Sequence, residues 1–223
     1  MNEPRLIVFD LDGTLIDSAA MIVGAMHAAF AAVDLPAPDR SAMLSVVGLS
    51  LPLALARLAP QADATTLDRL IAAYKADFQA QRVAETAPLY PGARALLDRL
   101  AGQAHTLLAV ATGKSRRGLD HILDSHDLRG LFLSTQSADD HPSKPHPAMI
   151  DACLRATGTA PARAAMIGDA SFDIEMARAA GVAGVGVGWG FQPPARLLAA
   201  GAVHVAQDFD DLGQWLDTFG GAA

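Results

Sequence analysis

Apolar residues in this chain fall in short runs that stop abruptly at small or charged ones. Leu6-Ile7-Val8-Phe9 runs into Asp10-Leu11-Asp12-Gly13-Thr14. That is the pattern of a strand buried on both faces that delivers a polar loop at its carboxyl end. The shape returns at Thr106 to Ala111 before Thr112-Gly113-Lys114, at Ala164 to Ile167 before Gly168-Asp169, and at Val182 to Val187 before a glycine-rich segment. Leu131 to Leu133 is a shorter candidate strand. Helical spacing fills the gaps at Ala93 to Leu100, Arg116 to Leu123, Pro147 to Ala156 and Phe172 to Ala180. Strands alternating with helices predict an α/β fold with a parallel sheet, in which ligands gather at the carboxyl ends of the strands.

One segment breaks the alternation. From about Ile16 to Thr86 no strand pattern occurs, and the apolar residues follow helical stripes: Ile22, Met26, Phe30 and Val33 on one, Leu67, Leu70, Ile71, Tyr74 and Phe78 on another. The reading is a helical insertion, residues 17–87, in a core made of residues 1–16 and 88–223. Leu89-Tyr90-Pro91-Gly92 marks the return to the core.

Composition narrows the class. Of the 223 residues 51% are hydrophobic and 18% charged, which excludes a disordered chain. No apolar stretch is long enough to span a bilayer, and the first ten residues lack the pattern of a signal peptide. Cys153 stands alone, so neither an internal disulfide nor a cysteine-based zinc site is available. The cytoplasm is the expected compartment. A net charge of −7 without any basic run argues against a nucleic-acid partner. Nothing points to a membrane partner, and a monomer or homodimer is expected.

The chemistry sits at the strand ends. Asp10 and Asp12, two positions apart where a strand turns, can face one crevice; one carboxylate can attack phosphorus while the other donates and accepts protons. Thr112 and Gly113 offer a hydroxyl and a backbone N–H to a phosphate oxygen. Lys144, among Pro142, Pro145 and Pro147, is a stiffly presented cation. Asp169 can hold a hard cation through oxygen, with Asp173 one helical turn on. Taken singly, each piece has a plainer alternative. Asp10 to Thr14 also reads as a charged turn, Thr112 to Lys114 as a loop capping the next helix, Lys144 as a surface lysine, and Asp169 or Ser171 as a helix N-cap. Taken together, they supply the set that phosphoryl transfer needs: nucleophile, acid, hydroxyl, cation and metal carboxylate.

In this order the four segments, Asp10–Thr14 with Leu15, Thr112-Gly113-Lys114, Lys144-Pro145, and Gly168-Asp169 with Asp173, resemble the haloacid dehalogenase (HAD) superfamily over essentially the whole chain. YPGA, AVATGKSRRGLD and SKPHP are most similar to its phosphoglycolate phosphatases. The resemblance implies a Rossmann-like core with a mobile helical cap and one Mg²⁺. It makes Asp10 the nucleophile and a metal ligand, and Asp12 the general acid/base with its backbone carbonyl on the metal. Thr112, Gly113 and Lys144 become phosphoryl binders, Asp169 the second carboxylate ligand, and Asp173 a supporting residue. Gly168 stands where some relatives carry another acid, which implies ligation by more waters. Gly48-Leu49-Ser50 resembles the cap loop that faces the site.

The activity implied is hydrolysis of a small phosphate ester, 2-phosphoglycolate first, with pyrophosphate and sugar phosphates as alternatives and a non-catalytic binding protein behind them. Asp12 argues against a dehalogenase. No lysine precedes Lys75, which argues against a phosphonoacetaldehyde hydrolase, and Ile22 stands where the β-phosphoglucomutases carry histidine. Arg40, Arg57, Arg116 and Arg117 are candidates for meeting a substrate carboxylate. His141 and His146 read as loop residues, and the run Gly184 to Gly190 as a strand entering a loop near the crevice, with Trp189 at its wall or in the core.

Overall fold

In the computed structural model, which describes residues 3–84 and 86–220, the elements run β1 (Arg5–Phe9), α1 (Ala19–Ala31), α2 (Arg40–Ser45), α3 (Leu51–Leu58), α4 (Ala64–Ala84), α5 (Ala93–Ala101), β2 (Thr106–Thr112), α6 (Arg116–Ser125), β3 (Ser134–Ser137), α7 (Ala148–Thr157), β4 (Ala164–Gly168), α8 (Ser171–Ala179), β5 (Ala183–Val187), α9 (Pro194–Ala200), β6 (His204–Ala206) and α10 (Phe209–Thr218). The six strands form one parallel sheet in the order β3-β2-β1-β4-β5-β6. Strand order reverses at β1. The chain adds β2 and β3 on one side of it and β4 to β6 on the other, which opens a crevice at the carboxyl ends of β1 and β4.

Every residue of β1 is buried, and its side chains alternate between two apolar layers. Ile7 and Phe9 pack with Val110, Ile167, Val187, Leu97 and Leu212; Leu6 and Val8 pack with Ala109, Met149, Met166 and Met176. A strand covered by helices on both faces needs no polar position, which is why this one reads as a continuous apolar run.

Leu131 to Leu133 is not a strand. Arg129–Leu131 forms a 3₁₀ turn, Leu133 is 62% exposed, and the strand that follows is Ser134-Thr135-Gln136-Ser137. It lies at the sheet edge and pairs with β2 alone. Polar side chains serve there: the guanidinium of Arg116 donates to Thr135 Oγ1 (3.0 Å) and Ser137 Oγ to Asp140 (2.8 Å).

Helices α1 to α4 are inserted between β1 and the rest of the sheet and have an apolar cluster of their own. Ile22, Met26, Phe30, Met43, Leu55 and Leu70 are its buried members, with Val33, Leu67, Ile71, Tyr74 and Phe78 packed against it. Both helical stripes read from the sequence meet there, as α1 packs on α4. No described helix is long and apolar enough to cross a membrane.

Candidate active site

Asp10 follows directly on β1. Its N–H donates to Ile167 O (2.9 Å), which fixes the loop start against β4, and its side chain is 1% exposed. Lys144 is equally buried and lies between two carboxylates: Nζ is 2.6 Å from Asp173 Oδ1 and 3.0 Å from Asp10 Oδ1. The second approach is off the direction of a hydrogen bond, so neither oxygen of Asp10 accepts one. Asp173 is fully engaged, since its Oδ2 takes the Ala170 N–H (3.1 Å). Asp169 Oδ2 accepts the Phe191 N–H (2.8 Å), and Thr14 Oγ1 stands 3.4 Å from Oδ1.

The plainer readings of three segments therefore fail. Lys144 is not a surface lysine. Ser115 rather than Thr112 caps α6, accepting the Gly118 N–H (3.2 Å). Ala170, not Asp169 or Ser171, stands at the N-cap of α8. A Cβ on Gly168 would collide with the Asp173 side chain, so the space in which an acid at that position would stand is filled by the carboxylate that holds Lys144.

Electrostatics follow from burial. Desolvation raises Asp10 to about 7, helped by Asp173 and Asp12 and opposed by Lys144. Desolvation likewise raises Asp169 well above the usual carboxylate range, with Asp173 and Asp10 adding to it. Burial works to lower Lys144, but Asp10 and Asp173 more than offset it and hold the amine charged.

Oxygens of Asp10, Asp169 and Asp173 lie within 4.8 Å of one another, the one such acidic group among the described residues. An all-oxygen donor set in which both oxygens of Asp10 lack a hydrogen bond fits a hard divalent cation. The side chain of Asp12 points elsewhere. Its Oδ1 pairs with Lys114 Nζ (2.8 Å) and accepts from Ser18 Oγ. Nothing local in the sequence marks Ser18 or pairs Lys114 with Asp12, because both contacts depend on the start of α1 and the β2–α6 loop approaching in space.

A cavity of about 720 Å³ opens between this cluster and the inserted helices. Asp10, Asp12, Thr112, Gly113 and Lys114 line it from the sheet side, and Ile22, Met26, Tyr74 and Phe78 from α1 and α4. Gly48-Leu49-Ser50 faces it as expected. A Cβ on Gly113 would come 2.5 Å from Gly48 O and 2.7 Å from Leu49 O, so only glycine lets the insert come this close. Ser50 N–H donates to Ser143 Oγ (2.8 Å), one residue before Lys144.

Of the four candidate arginines only Arg117 lines the cavity. Arg116 pairs with Asp140 (2.7 Å), and Arg57 stacks 5.2 Å from the Phe172 ring centroid. His141 contacts Gln136 (2.7 Å) and His146 accepts from Ala148 N (3.2 Å), both away from the site. Trp189 packs against the core, its ring 4.4 Å from that of Phe209 between centroids, and its Nε1 donates to Thr14 O (3.0 Å).

The sequence profile of the haloacid dehalogenase-like hydrolases matches residues 7–187. The chain belongs to that family. It is 35% identical over 211 residues, 93% of this chain and 91% of the relative, to a protein of Dickeya dadantii named probable phosphatase IndB. It is 34% identical over 224 residues, 96% and 91% of the two chains, to a phosphoglycolate phosphatase of Rhodospirillum rubrum. Among solved structures, a predicted phosphatase from Clostridium acetobutylicum superposes with a TM-score of 0.85 at 27% identity, covering 96% of this chain and 98% of that one. A hydrolase from Pseudomonas syringae gives the same score, identity and coverage. Like these family members, the chain is a hydrolase, of the class that cleaves phosphoric monoesters.

Proposed function

We propose that this HAD protein hydrolyses a small phosphate monoester with Mg²⁺ through an aspartyl-phosphate on Asp10. The observation that supports it most is the Asp10 carboxylate itself. It is buried at the cavity floor beside Lys144, with both oxygens free of hydrogen bonds. Mg²⁺ held by Asp10, Asp169 and the Asp12 carbonyl would neutralise charge on the phosphoryl oxygens and on the attacking carboxylate.

The chain's own residues supply the rest. Asp10 attacks phosphorus, the P–O bond to the leaving group breaks, and Asp12 protonates the departing alkoxide. Asp12 then takes a proton from the water that opens the acyl phosphate, releasing inorganic phosphate and restoring Asp10. Thr112, the Gly113 N–H and Lys144 bind the phosphoryl oxygens, and Asp173 holds Lys144 in place. Residues 17–87 act as the cap over a core of residues 1–16 and 88–223. The leading substrate is 2-phosphoglycolate, which rests on the relatives' names and the phrases shared with that subfamily. A mutase is disfavoured because, among the described residues, Ile22 and no histidine lines the cavity.

Asp10→Asn tests the reading. Mg²⁺-dependent turnover of p-nitrophenyl phosphate should fall by about 10⁴-fold or more, as for loss of a nucleophile. Acid-quenched native enzyme should retain phosphate that the variant does not. Substantial turnover by pure Asp10→Asn would sink the idea.

A further inference from the structure

A basic stretch of wall lines the cavity. Lys75 and Arg82 on α4 and Arg117 in the first turn of α6 all line it. None of the three forms an ion pair among the described residues, whereas Lys114 is held by Asp12 and lies 5.0 Å from the Phe78 ring centroid. Arg82 reaches across from the inserted helix to the core, with Nη1 3.5 Å from Arg117 O. Burial, and then the charge of Arg117, lower the Arg82 pKa. Two like charges are thus brought together in a chain with 24 acidic and 17 basic residues. Ile22, Met26, Tyr74 and Phe78 form an apolar stretch of wall that suits a short carbon skeleton.

We infer that the substrate carries a second anionic group, held between Arg82 of the insert and Arg117 of the core while its phosphoryl group meets Asp10. This rests on the phosphatase reading and deepens it. Guanidinium groups bind carboxylate and phosphate alike through paired N–H donors, so the shared chemistry is an oxyanion at the far end of the leaving group. Because the two arginines belong to different parts of the chain, such an anion would also draw insert and core together.

The test compares 3-phosphoglycerate with glycerol 3-phosphate, alkyl esters of similar size that differ in a carboxylate against a hydroxymethyl group. A third arm, propane-1,3-diol bisphosphate, carries a phosphate as the second anion. Native enzyme should show kcat/KM at least about tenfold higher for an anionic arm than for glycerol 3-phosphate. Arg82→Gln and Arg117→Gln should each lower that ratio by about tenfold, and Arg82→Lys by less. The preferred anionic arm tells carboxylate from phosphate. Mg²⁺-dependent turnover of all three esters with no such preference, or a ratio unchanged in both glutamine variants, overturns the inference and leaves the phosphatase standing. Turnover of no monoester, p-nitrophenyl phosphate included, overturns both.

Discussion

At the floor of the cavity one lysine, Lys144, stands between Asp10 and Asp173, with Asp169 close by and no second cation in contact with these three among the described residues. At its mouth three cations, Lys75, Arg82 and Arg117, stand without a carboxylate in contact among the described residues. The floor is buried and carries excess negative charge. The mouth is solvated and carries excess positive charge. Burial makes the difference consequential: an ion pair removed from water must be held in good geometry or it destabilises the fold, whereas exposed charges cost little and stay available to a ligand. The floor is thus built to be completed by a cation, and the mouth by an anion.

The sharpest way to break this contrast is Lys144→Ala. Three buried carboxylates would lose their cation, and stability should fall by about 3–5 kcal/mol, as when one partner of a buried pair is removed. Turnover should drop on the order of a hundredfold if, as proposed, Lys144 meets the phosphoryl oxygens. Arg117→Ala at the mouth should change stability by no more than about 0.5 kcal/mol. Urea unfolding of both variants decides it, and similar losses would show that the two ends do not differ as described.

Acidity offers a milder probe. Asp10 is raised to about 7 and Asp169 is raised as well, both chiefly by burial. A carboxyl whose pKa is higher folded than unfolded stabilises the fold below its unfolded value, and that contribution is lost as pH rises through the folded value. From Asp10, metal-free protein loses stability as pH climbs from the ordinary aspartate value of about 4 to about 7, and Asp169 adds a loss that begins in the same range. If, as proposed, Mg²⁺ binds the deprotonated pair, the rise in Tm on adding Mg²⁺ should grow from about pH 6 to about pH 8. Affinity should fall by about tenfold per pH unit for each proton displaced. A Tm shift independent of pH would mean that the carboxylates at the floor do not hold the metal.

How far this contrast could be read in advance depends on which residues carry it. β1, β2, β4 and β5 announced themselves because strands covered on both faces are apolar throughout, and Asp10, Thr112 and Asp169 stand at the carboxyl ends of β1, β2 and β4. Edge strands carry no such signal. β3 is Ser-Thr-Gln-Ser, and β6 has three residues outside any apolar run. Lys144 was legible as a position, but its burial was not, because proline-rich surroundings look like surface. The pairing of Lys114 with Asp12, the reach of Arg82 to Arg117 and the packing of Asp173 against Gly168 were invisible. The first two depend on segments distant in sequence meeting in space; the third is local, five residues apart, but depends on the turn between β4 and α8, and none leaves a pattern of apolar spacing.

The smallest expected effect concerns the joint between the two regions. Gln192 is 3% exposed; its Oε1 accepts the Ser171 N–H (2.9 Å) in the core, and its Nε2 donates to Ser45 O (3.2 Å) in the insert. Its neighbour Phe191 gives its N–H to Asp169 and its ring to the insert's apolar cluster. One dipeptide therefore links the carboxylates at the floor to the helices that carry Lys75 and Arg82. Gln192→Ala removes two hydrogen bonds and leaves the Ser171 N–H without its acceptor, which should cost about 1–3 kcal/mol. Gln192→Glu keeps the acceptor for Ser171 but turns a carboxylate on the Ser45 carbonyl, where a donor is required, so at neutral pH it should be less stable than the alanine variant. Hydrogen exchange resolves the site of the damage. Amides of α2 should exchange faster in both variants, those of β1 should not, and only alanine should expose Ser171. If the glutamate variant matched the native protein in stability and in exchange at α2, the Nε2 contact would not be what joins insert to core, and the two ends of the cavity would move independently.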